Sequence, residues 1–130
     1  MKLVIGGAWQ GKIDAACNYF KIEKTQLIDG RNCPMESIYE ADGIHHFHEY
    51  VKRMLMQQIS TEGFLDRLYE KNPDLLIISN EIGYGLVPME PFEREWREQT
   101  GRICCEAAQK SDQVLRVTAG IVNLIKGRKE

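Results

Sequence analysis

Near the start of the chain, "MKLVIGGAWQGKID" has residue types and a spacing suited to holding a polyphosphate. Gly6, Gly11 and Lys12 fit the pattern G-x-x-x-x-G-K-[ST], with Ile13 standing where the pattern has a hydroxyl. A glycine loop between a buried strand and a helix turns several backbone N–H groups toward one point, at the positive end of the helix dipole. Such a cradle would run through Gly6, Gly7, Ala8, Trp9, Gln10, Gly11, Lys12 and Ile13. Lys12 would add a full charge facing β- and γ-phosphates, whereas the usual Ser or Thr hydroxyl would hold Mg2+. Ile13 removes that metal ligand and leaves the N–H cradle intact. The plain alternative is an ordinary strand-to-helix turn, with glycine used for its backbone freedom and Lys12 solvated. Asp14 could reach an ion through water, or act only as a partner of the helix dipole.

A second stretch, "DLLIISNEIGYGLVP", runs from Asp74 to Pro88. Its apolar part reads as a buried strand, which puts Glu81 at the carboxyl edge, where open parallel sheets bind ligands. An acid there can hold Mg2+ or orient an attacking hydroxyl, and it can equally cap a turn. Gly83 and Gly85 allow the following loop to approach a ligand closely. Further on, Arg94, Arg97 and Arg102 recur near one side of a helix, with Glu93, Glu95 and Glu98 between them. Taken alone, that pattern is a salt-laced surface helix. Trp96 reads as core, and Trp9, inside the glycine loop, as exposed or stacked on a ligand or a neighbouring chain.

The elements that must position these groups follow from short apolar runs and helical periodicity. Strands are expected at Leu3 to Ile5, Gln26 to Asp29, Asp74 to Ser79 and Gln113 to Thr118. Helices are expected at Lys12 to Phe20, Gly43 to Ile59, Thr61 to Lys71 and Met89 to Lys110, the last with Gly101 as a weak point. His45, His46 and His48 fall in the second of these. There His45 and His48 share a face that could bind a metal weakly, although solvated or core-packed rings are the default. Strands alternating with helices imply an α/β fold with a mainly parallel sheet covered on both faces. The tail Lys126 to Glu130 reads as frayed.

The 130 residues fit one domain, spanning 1–130, that can bury a core without metals or disulfides. A formal charge of -2 offers no general attraction for nucleic-acid phosphates, so nucleic acid is not an expected partner. No stretch approaches the roughly 18 apolar residues of a membrane span, and nothing resembles a secretory leader. The expectation is a cytoplasmic protein, not bound to membranes, whose Cys17, Cys33, Cys104 and Cys105 are reduced thiols.

Four segments, "GGAWQGK", "SNEIGYGLVP", "REWREQTGR" and "SDQVLRVTAGIVNLIKG", together resemble the adenosylcobinamide kinase / adenosylcobinamide-phosphate guanylyltransferase family of cobalamin biosynthesis. The resemblance covers the first 20 residues and nearly everything after Asp74. It implies a P-loop NTPase-like fold, a nucleoside triphosphate (ATP or GTP) on Gly6 to Lys12, and Mg2+-dependent phosphoryl transfer to the aminopropanol hydroxyl of adenosylcobinamide. Lys12 and Glu81 would then be catalytic, Asp29 and Glu81 would hold the metal, and Gly83, Gly85, Arg94, Arg97 and Arg102 would face substrate or a neighbouring subunit of a homo-oligomer. Family members also pass GMP through a histidine that lies between the loop helix and a later strand ending in an acid. "QLIDGRN" resembles that strand, which gives Asp29 the place of the acid and leaves the histidine segment missing. Cys104-Cys105 replaces the family's usual Asn-Gln and removes amide hydrogen-bonding groups. Two readings follow: a cobinamide kinase-like enzyme without the guanylyl step, or a degenerate module that binds a nucleotide or a corrinoid.

Overall fold

The computed structural model describes residues 1–8, 11–82 and 90–128. Trp9, Gln10, Gly83, Gly85, the expected helix start at Met89, and the last two residues lie outside the described residues. Strand β1 (Lys2–Gly6) runs into the glycine loop and helix α1 (Lys12–Phe20). Then come β2 (Leu27–Asp29), β3 (Gly43–His45), α2 (Phe47–Met56), α3 (Phe64–Lys71), β4 (Leu76–Asn80), α4 (Pro91–Lys110), β5 (Gln113–Thr118) and β6 (Ile121–Lys126).

The strands form one sheet in the order β2-β3-β4-β1-β5-β6, with every neighbouring pair parallel except β5 and β6. Consecutive residues of a strand point to opposite faces, and the core divides accordingly. Leu3 and Ile77 join Phe47, Met54, Phe64 and Ile103 on the side of α2, α3 and α4. Val4, Ile78 and Leu115 join Ala16 of α1 on the other. This is the expected α/β architecture, with helices on both faces of a mainly parallel sheet.

Four expectations change. Gly43 to His45 is a strand and not the start of a helix, because Ile44 is buried between β2 and β4, and His46 takes a left-handed conformation (φ 53°) that breaks the chain direction before α2. At Gly43 a Cβ would lie 2.5 Å from Leu27 Cδ2, so a side chain there would displace the Leu27 methyl that packs over the glycine. The third helix starts at Phe64 rather than Thr61: Gly63 is left-handed, and Thr61 is buried and donates its hydroxyl to Gln99 Oε1 of α4 at 2.8 Å. Helix α4 passes through Gly101 without a break.

The fourth change is β6, which the sequence reading left unassigned. Ala119 and Gly120 both have positive φ (51° and 77°), as a two-residue hairpin turn requires, and fold Ile121–Lys126 back on β5. Lys126 is therefore not frayed. Its ammonium donates to the carbonyls of Ala108 and Gln109, each at 3.0 Å, near the negative end of α4. No helix among the described residues is long and apolar enough to cross a membrane.

Gly6 closes β1 where the strand is most crowded: a Cβ there would come within 2.5 Å of the Val117 carbonyl oxygen, a backbone atom that cannot rotate away. Gly6→Ala is therefore expected to lower stability by about 1–3 kcal/mol, the usual cost of overpacking, with urea unfolding as the check.

Candidate functional site

The carboxyl ends of β1 and β4, two neighbours at the centre of the sheet, bring the first functional groups together. The Glu81 N–H donates to the Gly6 carbonyl at 2.8 Å, which ties the start of the glycine loop to the acid that follows β4. Gly11, left-handed at φ 75°, turns the chain into α1 and leaves Lys12 as the first helical residue. Lys12 is only 9% exposed, and its ammonium donates to the Gly7 carbonyl at 2.7 Å. Burial pushes its amine below the usual lysine value, and the negative charge of Glu81 pulls part of that shift back. Lys12 is therefore held under the loop and not solvated.

Above the loop lies a cavity of about 330 Å3, bordered by Ala8, Gly11, Lys12, Ile13, His46 and Asn80, among others. Ile13 is half-buried and packs against the apolar cluster on the α1 side, so the position that would carry a metal-binding hydroxyl serves the core. The N-terminal end of α1 faces the same cavity, with Asp14 in its first turn.

Glu81 has a partner that the sequence reading missed. Arg116 of β5 donates to Glu81 Oε1 through Nε at 3.1 Å and Nη2 at 2.6 Å. A charged residue between Leu115 and Val117, in a strand otherwise buried at those positions, was the available signal. Beside this pair, Thr100, Cys104 and Cys105 border a second cavity of about 430 Å3. Desolvation there pushes the Cys104 thiol up to about 11, which keeps it protonated.

The histidines stand where the helix reading did not put them. His46 and His48 both border the glycine-loop cavity. His48 is buried, its Nδ1 accepts the Asn80 N–H at 3.1 Å, and its carbonyl accepts the Trp96 indole N–H at 2.8 Å. Trp96 thus packs as expected, as a tie from α4 to α2, with the Lys52 ammonium 4.8 Å from its ring centre. His45 and His48 share no helix face, since His45 belongs to β3. Instead, parallel pairing sets His45 beside Asp29, and the left-handed turn at His46 brings the two Nδ1 atoms to 2.6 Å.

Asp29 and Glu81 are not brought together. Asp29 ends β2 and Glu81 follows β4, with β3 between them, about 10 Å across at about 4.8 Å per strand. The register also sets Asp29 level with Ile78, three residues short of Glu81, so their backbones are about 14 Å apart. Asp29 faces Arg31, which donates through Nε and Nη2 at 2.8–3.1 Å and through its backbone N–H at 2.9 Å. Those bonds hold the Asp29 carboxyl down at about 2. Arg94 is exposed and Arg97 half-buried on α4, while Arg102 donates to Thr61 Oγ1 at 3.1 Å and also to Gln99 Oε1.

The model of the CobU family, described as cobinamide kinase / cobinamide phosphate guanyltransferase, matches residues 35–125. The match takes in β3, α2 and α3, where the four quoted segments are silent, and it begins after the glycine loop. No curated protein matches the chain.

The His48 ring provides a pH test. Desolvation first, then the positive groups His46, Lys12 and Arg31, push it from an ordinary 6.5 down to about 4. The unfolded chain therefore takes up a proton more readily than the folded one, and stability is fully present above about pH 6.5 and lost as pH falls toward 4. Between pH 7 and pH 5 the loss is expected to be on the order of 2 kcal/mol, and His48→Gln is expected to flatten the dependence in thermal melts across that range.

Proposed function

The chain belongs to the CobU family, whose members bind nucleotides and act in cobalamin biosynthesis, and from that premise we propose that it is a single P-loop domain that transfers the γ-phosphoryl of ATP or GTP to the hydroxyl of a cobinamide-type acceptor without a guanylyl-histidine step. The observation that carries the proposal is the buried ammonium of Lys12, held by the Gly7 carbonyl under a loop that opens on the N-terminal end of α1. An incoming triphosphate would take that ammonium from the carbonyl, and the backbone N–H groups of the first turn would meet its β- and γ-oxygens.

Glu81, oriented by the Arg116 guanidinium, would take the proton of the acceptor hydroxyl as the new P–O bond forms and the bond to the leaving diphosphate breaks. The donor set also fits Mg2+, a hard cation that takes oxygens: the Glu81 carboxylate and the Asn80 amide stand at the end of β4, and the triphosphate brings further oxygens of its own. When bound, Mg2+ would neutralise charge developing on the phosphates. Arg94 and Arg97 would meet the acceptor or a second subunit. Ile13, which puts an apolar side chain where a metal-binding hydroxyl would stand, and the thiols at Cys104 and Cys105 favour the second reading, a module that binds nucleotide or corrinoid without turnover. A turnover assay with ATP or GTP, Mg2+ and adenosylcobinamide separates the two.

Lys12→Ala is expected to weaken nucleotide binding by about 1.5–3 kcal/mol, the worth of a hydrogen bond to a charged group. Calorimetry with ATP and GTP checks it, and failure of both nucleotides to bind wild-type protein at millimolar concentration would overturn the proposal.

Incubation with GTP and Mg2+ is expected to leave the intact mass unchanged. A GMP-sized increase mapped to His46, which borders the loop cavity, would replace the one-step proposal with a two-step one.

A further inference from the structure

At the carboxyl ends of β2 and β3, away from Glu81, the chain assembles a second set of ligating groups. Asp29 and His45 are register partners in parallel strands, and the left-handed turn at His46 folds its ring back toward them. One carboxylate oxygen and one nitrogen of each ring all lie within 4.8 Å of one another, and the two Nδ1 atoms are 2.6 Å apart. The rings and the carboxylate are half-buried, with side-chain exposures of 12% at His45 and 21% at Asp29. Both strands belong to the sheet, so two of the three groups sit on a rigid frame.

We propose that Asp29, His45 and His46 form a three-ligand site for a zinc-class divalent cation (Zn2+, Co2+ or Ni2+), separate from any Mg2+ that accompanies a nucleotide. Two imidazoles and a carboxylate are the ligands such ions take, whereas Mg2+ favours oxygen alone. A tetrahedral ion with bonds of about 2.1 Å sets its ligand atoms about 3.4 Å apart. The two Nδ1 atoms are 2.6 Å apart and His45 Nδ1 is 3.9 Å from Asp29 Oδ1, so the rings need to part by under ~1 Å and the carboxylate to close by about half that. The ring that donates through Nδ1 moves its hydrogen to Nε2, and both Nδ1 lone pairs then face the ion.

Arg31 is the competitor. Its guanidinium grips both Asp29 oxygens from a position 56% exposed, and it can swing into solvent when an ion takes its place. The Arg31 backbone N–H, 2.9 Å from Asp29 Oδ1, stays behind and fixes the carboxylate, as hydrogen bonds around metal ligands do. His46 also borders the glycine-loop cavity, from which water or a phosphate oxygen would complete the coordination.

The test uses the full chain, stripped with a chelator and titrated with Co2+ and with Zn2+ in the absence of nucleotide. One equivalent of Co2+ is expected to bind, with the visible bands of a tetrahedral ion and no thiolate charge-transfer band. His46→Ala and Asp29→Asn are each expected to weaken binding at least about tenfold, and Arg31→Ala to strengthen it, since it frees the carboxylate. Circular dichroism verifies the fold of each variant. Should Asp29→Asn not fold, the half-exposed His46 and the exposed Arg31 still decide between opposite directions of change. No bound equivalent, a thiolate band, or affinities indifferent to His46→Ala and Arg31→Ala would each overturn the proposal. Nucleotide binding plays no part in the readout, so its failure leaves the phosphate site untouched.

Discussion

A lysine ammonium taken out of water costs several kcal/mol unless polar partners receive it, and Lys12 is 9% exposed. Everything at the centre of the sheet bears on how that charge is received. β1 supplies the carbonyl of Gly7 just past its end, β4 supplies the negative charge of Glu81, and β5 supplies Arg116, which fixes the Glu81 carboxylate in turn. The three strands are adjacent, with β1 in the middle, so the parallel pairing that builds the core also sets the charges. Gly6 shows the cost of this closeness: backbone fills the space where its side chain would go.

The arrangement explains why the departure at position 13 is compatible with a phosphate site. The buried ammonium and the N–H groups of the first helical turn are fixed by β1, Gly11 and α1, and none of them depends on a hydroxyl at Ile13. Ile13 instead contributes to the apolar cluster that seats α1 on the sheet. What the substitution alters is the donor set for a metal, and that shifts the burden to Glu81, held open to the site by Arg116.

The central strands and the helix after the glycine loop were legible in the sequence, because β1 and β4 are short apolar runs between breakers and β5 keeps buried Val114, Leu115 and Val117 around the single charge of Arg116. The three-residue β3 was not. Ile44, Phe47, Val51 and Met54 keep helical spacing across it, and only the left-handed turn at His46 separates strand from helix. That hidden turn also explains the misplaced histidines. β6 escaped notice for a different reason: Ile121 and Ile125 are 67% and 56% exposed, so no alternation of buried and solvent-facing residues marks the strand, and its Ala119-Gly120 turn lacks the usual Asn-Gly signal. Arg116 and Asn80 could be placed only through pairing between strands distant in sequence, which local patterns do not record.

The backbone amides of the glycine loop offer the most direct measurement, through the proton–nitrogen NMR spectrum of the labelled chain as ATP is added with Mg2+. If the loop cradles the phosphates, the amide signals of Gly7, Ala8, Gly11, Lys12 and Ile13 move together in one saturable step, and the ring signals of His46 and His48 across the cavity move with them. Saturable shifts confined to other parts of the chain, with those five amides unmoved, would contradict the assignment of the phosphate site to this loop.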